Sequence, residues 1–168
     1  MKQVVVCDTR EKLDKKKHII KVLDRYGIEW IRTKVYVGDW TLLSDQSVCI
    51  DTKTCGMQEV YNNIVTEHTR FQGECIRARD AGIRLIVLVE EPGIKTLDDV
   101  PGWKNPRIIK YRQEEEAGIE HAARPPVSSE RLHKIMRTMS ETYGVEWCFC
   151  DKRHTGETIL QLLGVEHQ

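Results

Sequence analysis

The stretch VYVGDWTLLSDQSVCIDTK, residues 35–53, reads as two short strands joined by the polar turn SDQS. The strands are otherwise built from Val, Trp, Leu, Cys and Ile. Gly38 punctuates the stretch, so DWTLL (39–43) and VCIDTK (48–53) make the hairpin. Each arm carries a carboxylate, Asp39 and Asp51, and the second arm ends on Lys53. Acids and a lysine weaken the packing of a strand, so their presence calls for a reason. Alternation puts Asp51 and Lys53 on one face and turns Thr52 away. Asp39, from the adjoining strand, reaches toward the same point.

Working outward, QVVVC (3–7) is a buried-strand run that ends at Asp8. From about Glu11 to Tyr26 the pattern is helical: Ile19, Val22, Leu23 and Tyr26 fall at i, i+3, i+4 and i+7, and Gly27 stops the helix. IEWIRTKVYV (28–37) alternates like a strand. Met57 to Ala81 is helical, with a break near Thr66 to Thr69. Ile83 to Val89 is a continuous apolar run, as in a strand covered on both faces. Residues 91–128 hold the prolines, several glycines and RQEEEAG, and read as a long excursion with little regular structure. Helix resumes where Ser128 or Ser129 caps it, with Leu132, Ile135, Met136 and Met139 as its apolar face. VEWCFC (145–150) is a further strand and Thr155 to Leu163 a closing helix. No repeat or linker divides the chain. It reads as one domain, residues 1–168, with its core in 3–90 and 129–164. The element order predicts an α/β sandwich, a central mixed sheet flanked by helices.

The bulk numbers agree with a globular protein of ordinary make-up. The 168 residues are 40% hydrophobic and 31% charged, which suits a chain with a sizeable core. The longest apolar run, Leu85 to Val89, is too short to span a bilayer, and no secretory signal opens the chain, so a cytoplasmic setting and no membrane partner are expected. The six cysteines are then read as reduced thiols. Net charge is zero, where a non-specific nucleic-acid coat would be basic. Lys12, Lys15, Lys16 and Lys17 are either a local basic rim or a solvated helix face.

Several chemistries find no support. No phosphate loop, dinucleotide-binding glycine motif or nucleophile elbow is present. Cys148, Cys150 and His154 are close in sequence, but a C-x-C on a strand sends its thiols to opposite faces, and packing explains them better than zinc. Lys152, Arg153 and His154 read as a loop before the last helix. Trp103, between Lys104 and Arg107, is either a stacking platform for unpaired bases or a loop aromatic folded onto the core.

The carboxylates remain. Clustered acids repel unless something neutralises them, and hard oxygen donors suit Mg²⁺ or Mn²⁺. Taken in order, VVVCDTRE (4–11), VGDW (37–40), IDTK (50–53), Arg70-Phe71 and IRLIVLVEE (83–91) resemble the XPF-type structure-specific endonuclease domain, a branch of the PD-(D/E)xK nuclease superfamily. The resemblance covers residues 3 to about 90, and beyond that only the element order is similar. It implies a restriction-endonuclease-like sandwich. It also implies a metal-dependent DNA endonuclease acting on branched or flapped DNA in repair, recombination or phage DNA processing, in a bacterial or phage-infected cell.

The implied roles follow the motif. Asp39 and Asp51 ligate Mg²⁺ or Mn²⁺, with the Thr52 carbonyl as a third ligand. Lys53 positions the attacking water, and Asp8 and Glu11 line the same pocket. Arg10 contacts a phosphate or braces the acids, and Arg70 faces the DNA backbone. The chain departs from the family pattern where E-R-K becomes Asp51-Thr52-Lys53, and where Met57 stands in place of an acid, with Glu59 two residues later. The tandem helix-hairpin-helix module of many relatives is absent, so a protein partner is expected to supply DNA targeting. The alternative is a catalytically inactive module of the same fold that binds DNA or a partner.

Overall fold

The computed structural model describes residues 2–166. The strands are β1 (Val4–Asp8), β2 (Glu29–Thr33), β3 (Trp40–Leu42), β4 (Val48–Lys53), β5 (Arg84–Glu90) and β6 (Glu146–Cys150). They form one sheet in the order β2-β1-β3-β4-β5-β6. Only β3 runs against its neighbours; β1–β2, β4–β5 and β5–β6 are parallel. The helices are α1 (Lys17–Arg25), α2 (Met57–Tyr61), α3 (His68–Asp80), α4 (Pro106–Glu116), α5 (Ser129–Tyr143) and α6 (Thr155–Leu162). The expected mixed sheet flanked by helices is what forms.

Strand alternation divides the core into two layers. Val6, Cys49 and Val87 face α3 and α5, packing on Phe71, Cys75, Leu132 and Met136. Val5, Cys7, Ile50, Ile86 and Leu88 face α1 and α6, against Ile19, Leu23, Ile159 and Leu160. No described helix is long and apolar enough to cross a membrane. The six cysteines form no disulfide. Burial pushes the Cys7 thiol up to about 11 and Cys75 up to about 12, so neither is a nucleophile at neutral pH.

Three expectations need correction. The strand read over 28–37 spans only Glu29–Thr33, because β1 ends at Asp8, opposite Thr33, and leaves the later residues without a ladder partner. The helix read from Glu11 begins as a 3₁₀ turn, Leu13–Lys16, and is α only from Lys17. The amide of Arg10 donates to Asp8 Oδ1 (2.9 Å) and that of Glu11 to the Asp8 carbonyl (3.2 Å), which holds residues 8–11 in a turn instead. The excursion at 91–128 is partly ordered into a 3₁₀ segment, Leu97–Gly102, and the eleven-residue α4. Asn105-Pro106 looks like a breaker but is a helix start. Asn105 Oδ1 accepts the Arg107 amide (3.0 Å), and Pro106 sits at the first helical position, where its missing N–H costs nothing. Buried Asn105 also donates to the Val127 carbonyl (3.2 Å), tying the two ends of the excursion together.

The break between α2 and α3 falls where expected and has a specific form. Residues Asn62–Thr66 make a π turn, wider than an α turn, before α3 starts at His68. Such turns recur at functional sites. Here the turn carries Asn63 into the cleft described next.

Candidate active site

β1 and β4 run the same way and end at one edge of the sheet; β3, running against them, begins there. Strand direction alone therefore gathers Asp8, Asp39, Asp51 and Lys53 at a single rim, on the side where open α/β sheets bind ligands. All four are buried. They line a polar cavity of about 520 Å³ together with Glu11, Thr52, Glu59, Asn63, Arg70 and Glu74. A larger cavity of about 640 Å³ lies between α3 and α5, but it holds a single carboxylate, Glu130, among its described residues and no acid cluster.

The backbone fixes Asp39 from three sides. Its amide donates to the Ile50 carbonyl (2.8 Å), and its carbonyl accepts the Asp8 amide (2.8 Å). Gly38 precedes it with φ +74°, and a Cβ there would stand 3.0 Å from the Ile50 carbonyl oxygen. That positive φ and close approach suit glycine alone. The Gly38 amide donates to Glu74 Oε1 (2.8 Å), so α3 holds the turn as well.

On the α3 side, Lys53 Nζ lies 2.8 Å from Asp51 Oδ2 and 5.5 Å from the Phe71 ring centroid. The lysine is off the direction of a hydrogen bond, so Asp51 Oδ2 is paired by charge but has no directed donor. Asn63 Oδ1, buried in the same cleft, also lacks a donor. Arg10 grips Asp8 through Nε (3.1 and 3.0 Å) and Nη2, and its Nη2 donates to the Val35 carbonyl (2.9 Å). It braces the acid, the second of the two roles open to it. Arg70 lies on the rim, exposed, 3.4 Å from Glu67. Glu74 and Arg77 follow on the same helical face, four and seven residues after Arg70. Glu59, the acid displaced by two positions from the family pattern, also reaches the cleft, its Oε2 accepting the Cys55 amide (3.0 Å).

The other side holds what the sequence reading missed. Lys16 is not on a rim or a solvated face: its side chain is 4% exposed. Nζ lies 3.0 Å from Glu11 and 3.3 Å from Asp39, and donates to Thr52 Oγ1. Thr52 passes the contact on, giving both its amide (2.8 Å) and its hydroxyl (2.7 Å) to Asp39 Oδ2. The positive charge absent at position 52 thus arrives from the 3₁₀ turn. A signal for it was present: Ile19, Ile20 and Leu23 stand three, four and seven residues beyond Lys16, on its own helical face.

These neighbours set the charges. Burial pushes Asp39 up, but Lys16, Lys53 and the Thr52 bonds outweigh it and hold the carboxyl below its usual range. Burial and the nearby Asp39 raise Glu11 against the pull of Lys16. Burial lowers Lys16, but Asp39 and Glu11 more than reverse this. Asp51 is pushed up to about 8, by burial first and then by Asp39 and Glu74, against the pull of Lys53. Burial would lower Lys53, yet the Asp51 charge raises it further, so it stays protonated. The two shifts pull against each other, since the Lys53 rise needs an ionised Asp51.

The donor chemistry fits a hard divalent cation. Two buried oxygens, Asp51 Oδ2 and Asn63 Oδ1, lack directed donors, and burial with the neighbouring acids Asp39 and Glu74 raises Asp51 despite Lys53. Among the described residues no three His, Cys, Asp or Glu side chains stand as a ready-made metal cage. Cys150 instead meets Thr155 (3.6 Å) and His154 meets Asp151 (2.9 Å). Asp51 also sets a pH dependence. Its unfolded-state pKa is near 3.8, so the stability that Asp51 contributes is full below about pH 4 and is lost as pH rises toward about 8. In EDTA, wild-type melting temperature should fall across this window more steeply than that of Asp51→Asn. Millimolar Mg²⁺ or Mn²⁺ at pH 8 should restore it, since an ion bound only to the folded state stabilises that state. Parallel melting curves with no metal response would refute both the shift and the ion.

The six-stranded mixed sheet with its acids at one rim defines the class, the fold of an XPF-type nuclease domain. Two solved structures show it: the chain is similar to XPF from Aeropyrum pernix (TM-score 0.62, 17% identity, covering 95% of this chain and 63% of that chain). It is similar also to XPF from Aeropyrum pernix in complex with DNA (TM-score 0.61, 16% identity, covering 97% and 64%). The likeness is one of fold, and the chain spans just under two thirds of the length of those proteins. No protein-family model matches the chain, and no curated protein matches it.

Proposed function

We propose that this chain is a metal-dependent endodeoxyribonuclease that hydrolyses phosphodiester bonds in branched or flapped DNA. The observation that carries the reading is the convergence of Asp8, Glu11, Asp39, Asp51 and Lys53 in one polar cavity, with Asp51 Oδ2 lacking a directed donor. A bound Mg²⁺ or Mn²⁺ would supply charge to the phosphate and lower the pKa of a water. Asp39, Asp51 and the Thr52 carbonyl would hold it, with Asn63 Oδ1 as a further oxygen. Lys53, 2.8 Å from Asp51, acts as a cation and not as a base; it donates hydrogen bonds to the attacking water and offsets charge developing on phosphorus oxygens. Arg10 holds Asp8 in place. Arg70 and Arg77, on the rim, meet backbone phosphates. One of the structural neighbours is itself in complex with DNA, which supports the substrate class.

The second reading, an inactive DNA-binding module, is favoured by the two buried lysines that already pair with the acids. Purified protein incubated with duplex, flap, fork, four-way junction and single strand, in Mg²⁺, Mn²⁺ or EDTA, decides between them. Metal-dependent cutting of a branched substrate is expected. Salt-sensitive binding with no cutting in either metal would hand the case to the second reading.

A further inference from the structure

A second concentration of charge lies in the segment beyond β5, outside the carboxylate cleft. Against α4, a cavity of about 250 Å³ is lined by Arg107, Lys110, Tyr111, Glu114, His121 and Arg124. The one carboxylate among these residues is already engaged: Glu114 lies 3.7 Å from Lys110 Nζ and 3.7 Å from His121 Nδ1. Three full positive charges against one negative leave an excess that can be met by an anion.

Two of the lining groups are held in place, each with one nitrogen left unpaired. The Arg107 guanidinium lies over the Tyr61 ring, 4.5 Å from its centroid, and its Nη1 is buried with no acceptor. His121 stacks on Tyr111, centroids 3.9 Å apart and planes 18° apart, and its Nε2 is buried with no partner. Stacking stops either group from swinging out to water. A buried polar atom left unpaired is costly, and both atoms belong to residues that line one cationic cavity, so a shared ligand would satisfy the two together. A guanidinium fork, an ammonium and an imidazole together suit a group with several oxygens and one to two negative charges.

We propose that this cavity is a phosphate-binding site, separate from the catalytic cleft. Its chemistry stands without the nuclease reading; a DNA source for the phosphate rests on that reading. The test is a titration of labelled protein, residues 1–168, with inorganic phosphate, followed by NMR of the His121 ring and the Arg107 side chain. The partner variant is Lys110→Ala/Arg124→Ala, both exposed positions that leave the stacked pairs intact. Saturable shifts in the wild type, weakened several-fold in the variant, are expected. No saturable shift, or equal shifts in both proteins, would overturn the site.

Short single strands with and without a 5′ phosphate, added in EDTA so that nothing is cut, then identify the source. If both compete with inorganic phosphate, the ligand is a backbone phosphodiester. The variant should then lose DNA affinity, and its salt slope should fall by roughly 0.7–0.9 for each phosphate it no longer neutralises. If only the phosphorylated strand competes, the site takes a strand end. If neither competes, a DNA source is refuted while phosphate binding stands, and the cleavage assay is untouched by that result.

Discussion

Asp51→Asn is expected to lower the rate of DNA cleavage by at least about 10²–10³-fold, the loss typical when one transition-state charge contact is removed. The substitution keeps the side chain's size and removes its charge at the position where a divalent ion is proposed to bind. Asp51 is the acid to choose because Asp39 Oδ2 is saturated by Thr52 and Lys16, and Asp8 is gripped by Arg10. Of these three strand acids, Asp51 is the one that presents a buried carboxylate oxygen without a directed donor. DNA affinity measured in EDTA near neutral pH should hold, since without a metal ion Asp51 is held largely protonated and its replacement by Asn changes little charge. Cleavage within tenfold of wild type would remove Asp51 from the metal site.

Lys16→Met should be the most damaging single change to folding. It strips the cation from Glu11 and Asp39 at once and leaves the buried Asp39 carboxyl facing the half-buried Glu11. Breaking a buried ion pair from one side costs about 3–5 kcal/mol. For a chain of this size that is a fall in melting temperature on the order of 10 °C. Cleavage should fail with it, because Asp39 loses its bracing through Thr52. Lys16→Arg tests geometry against charge, restoring stability more than rate if the lysine's reach to Thr52 Oγ1 matters. A melting temperature unchanged in Lys16→Met would show that the acids do not depend on it.

Much of this site was legible because strands carry their geometry in their period. Alternation placed Asp51 and Lys53 together and Thr52 opposite, and the sheet keeps that division: the first two face α3, while Thr52 meets Lys16. The helix from Ser129 was legible through its cap, with the Ser128 hydroxyl accepting the Arg131 amide (3.2 Å). Lys16 was hidden by its company, since three exposed lysines flank it and a run of like charges suggests solvent. Local hydrogen bonds at Asp8 shift the start of the helix, and only the apolar residues beyond betray which lysine points inward. The excursion was misjudged because Asn and Pro mark turns and helix starts alike, and the tertiary bond from Asn105 to Val127 decides between them. Glu74 and Asn63 carry no motif. They matter only because α2 and α3 pass over the edge of the sheet.

The π turn at Asn62–Thr66 bears on how the chain tolerates change in length. A helix advances about 100° per residue, so the turn sets the rotational phase of everything that follows it. Removing one residue there would swing Arg70, Glu74 and Arg77 round the axis of α3 and aim them at the core or the solvent. Gly38 would lose the carboxylate that holds its amide, and the rim its cations. The segment therefore works as a phase spacer: a change in its length, with no change at any acid, is enough to take the cleft apart.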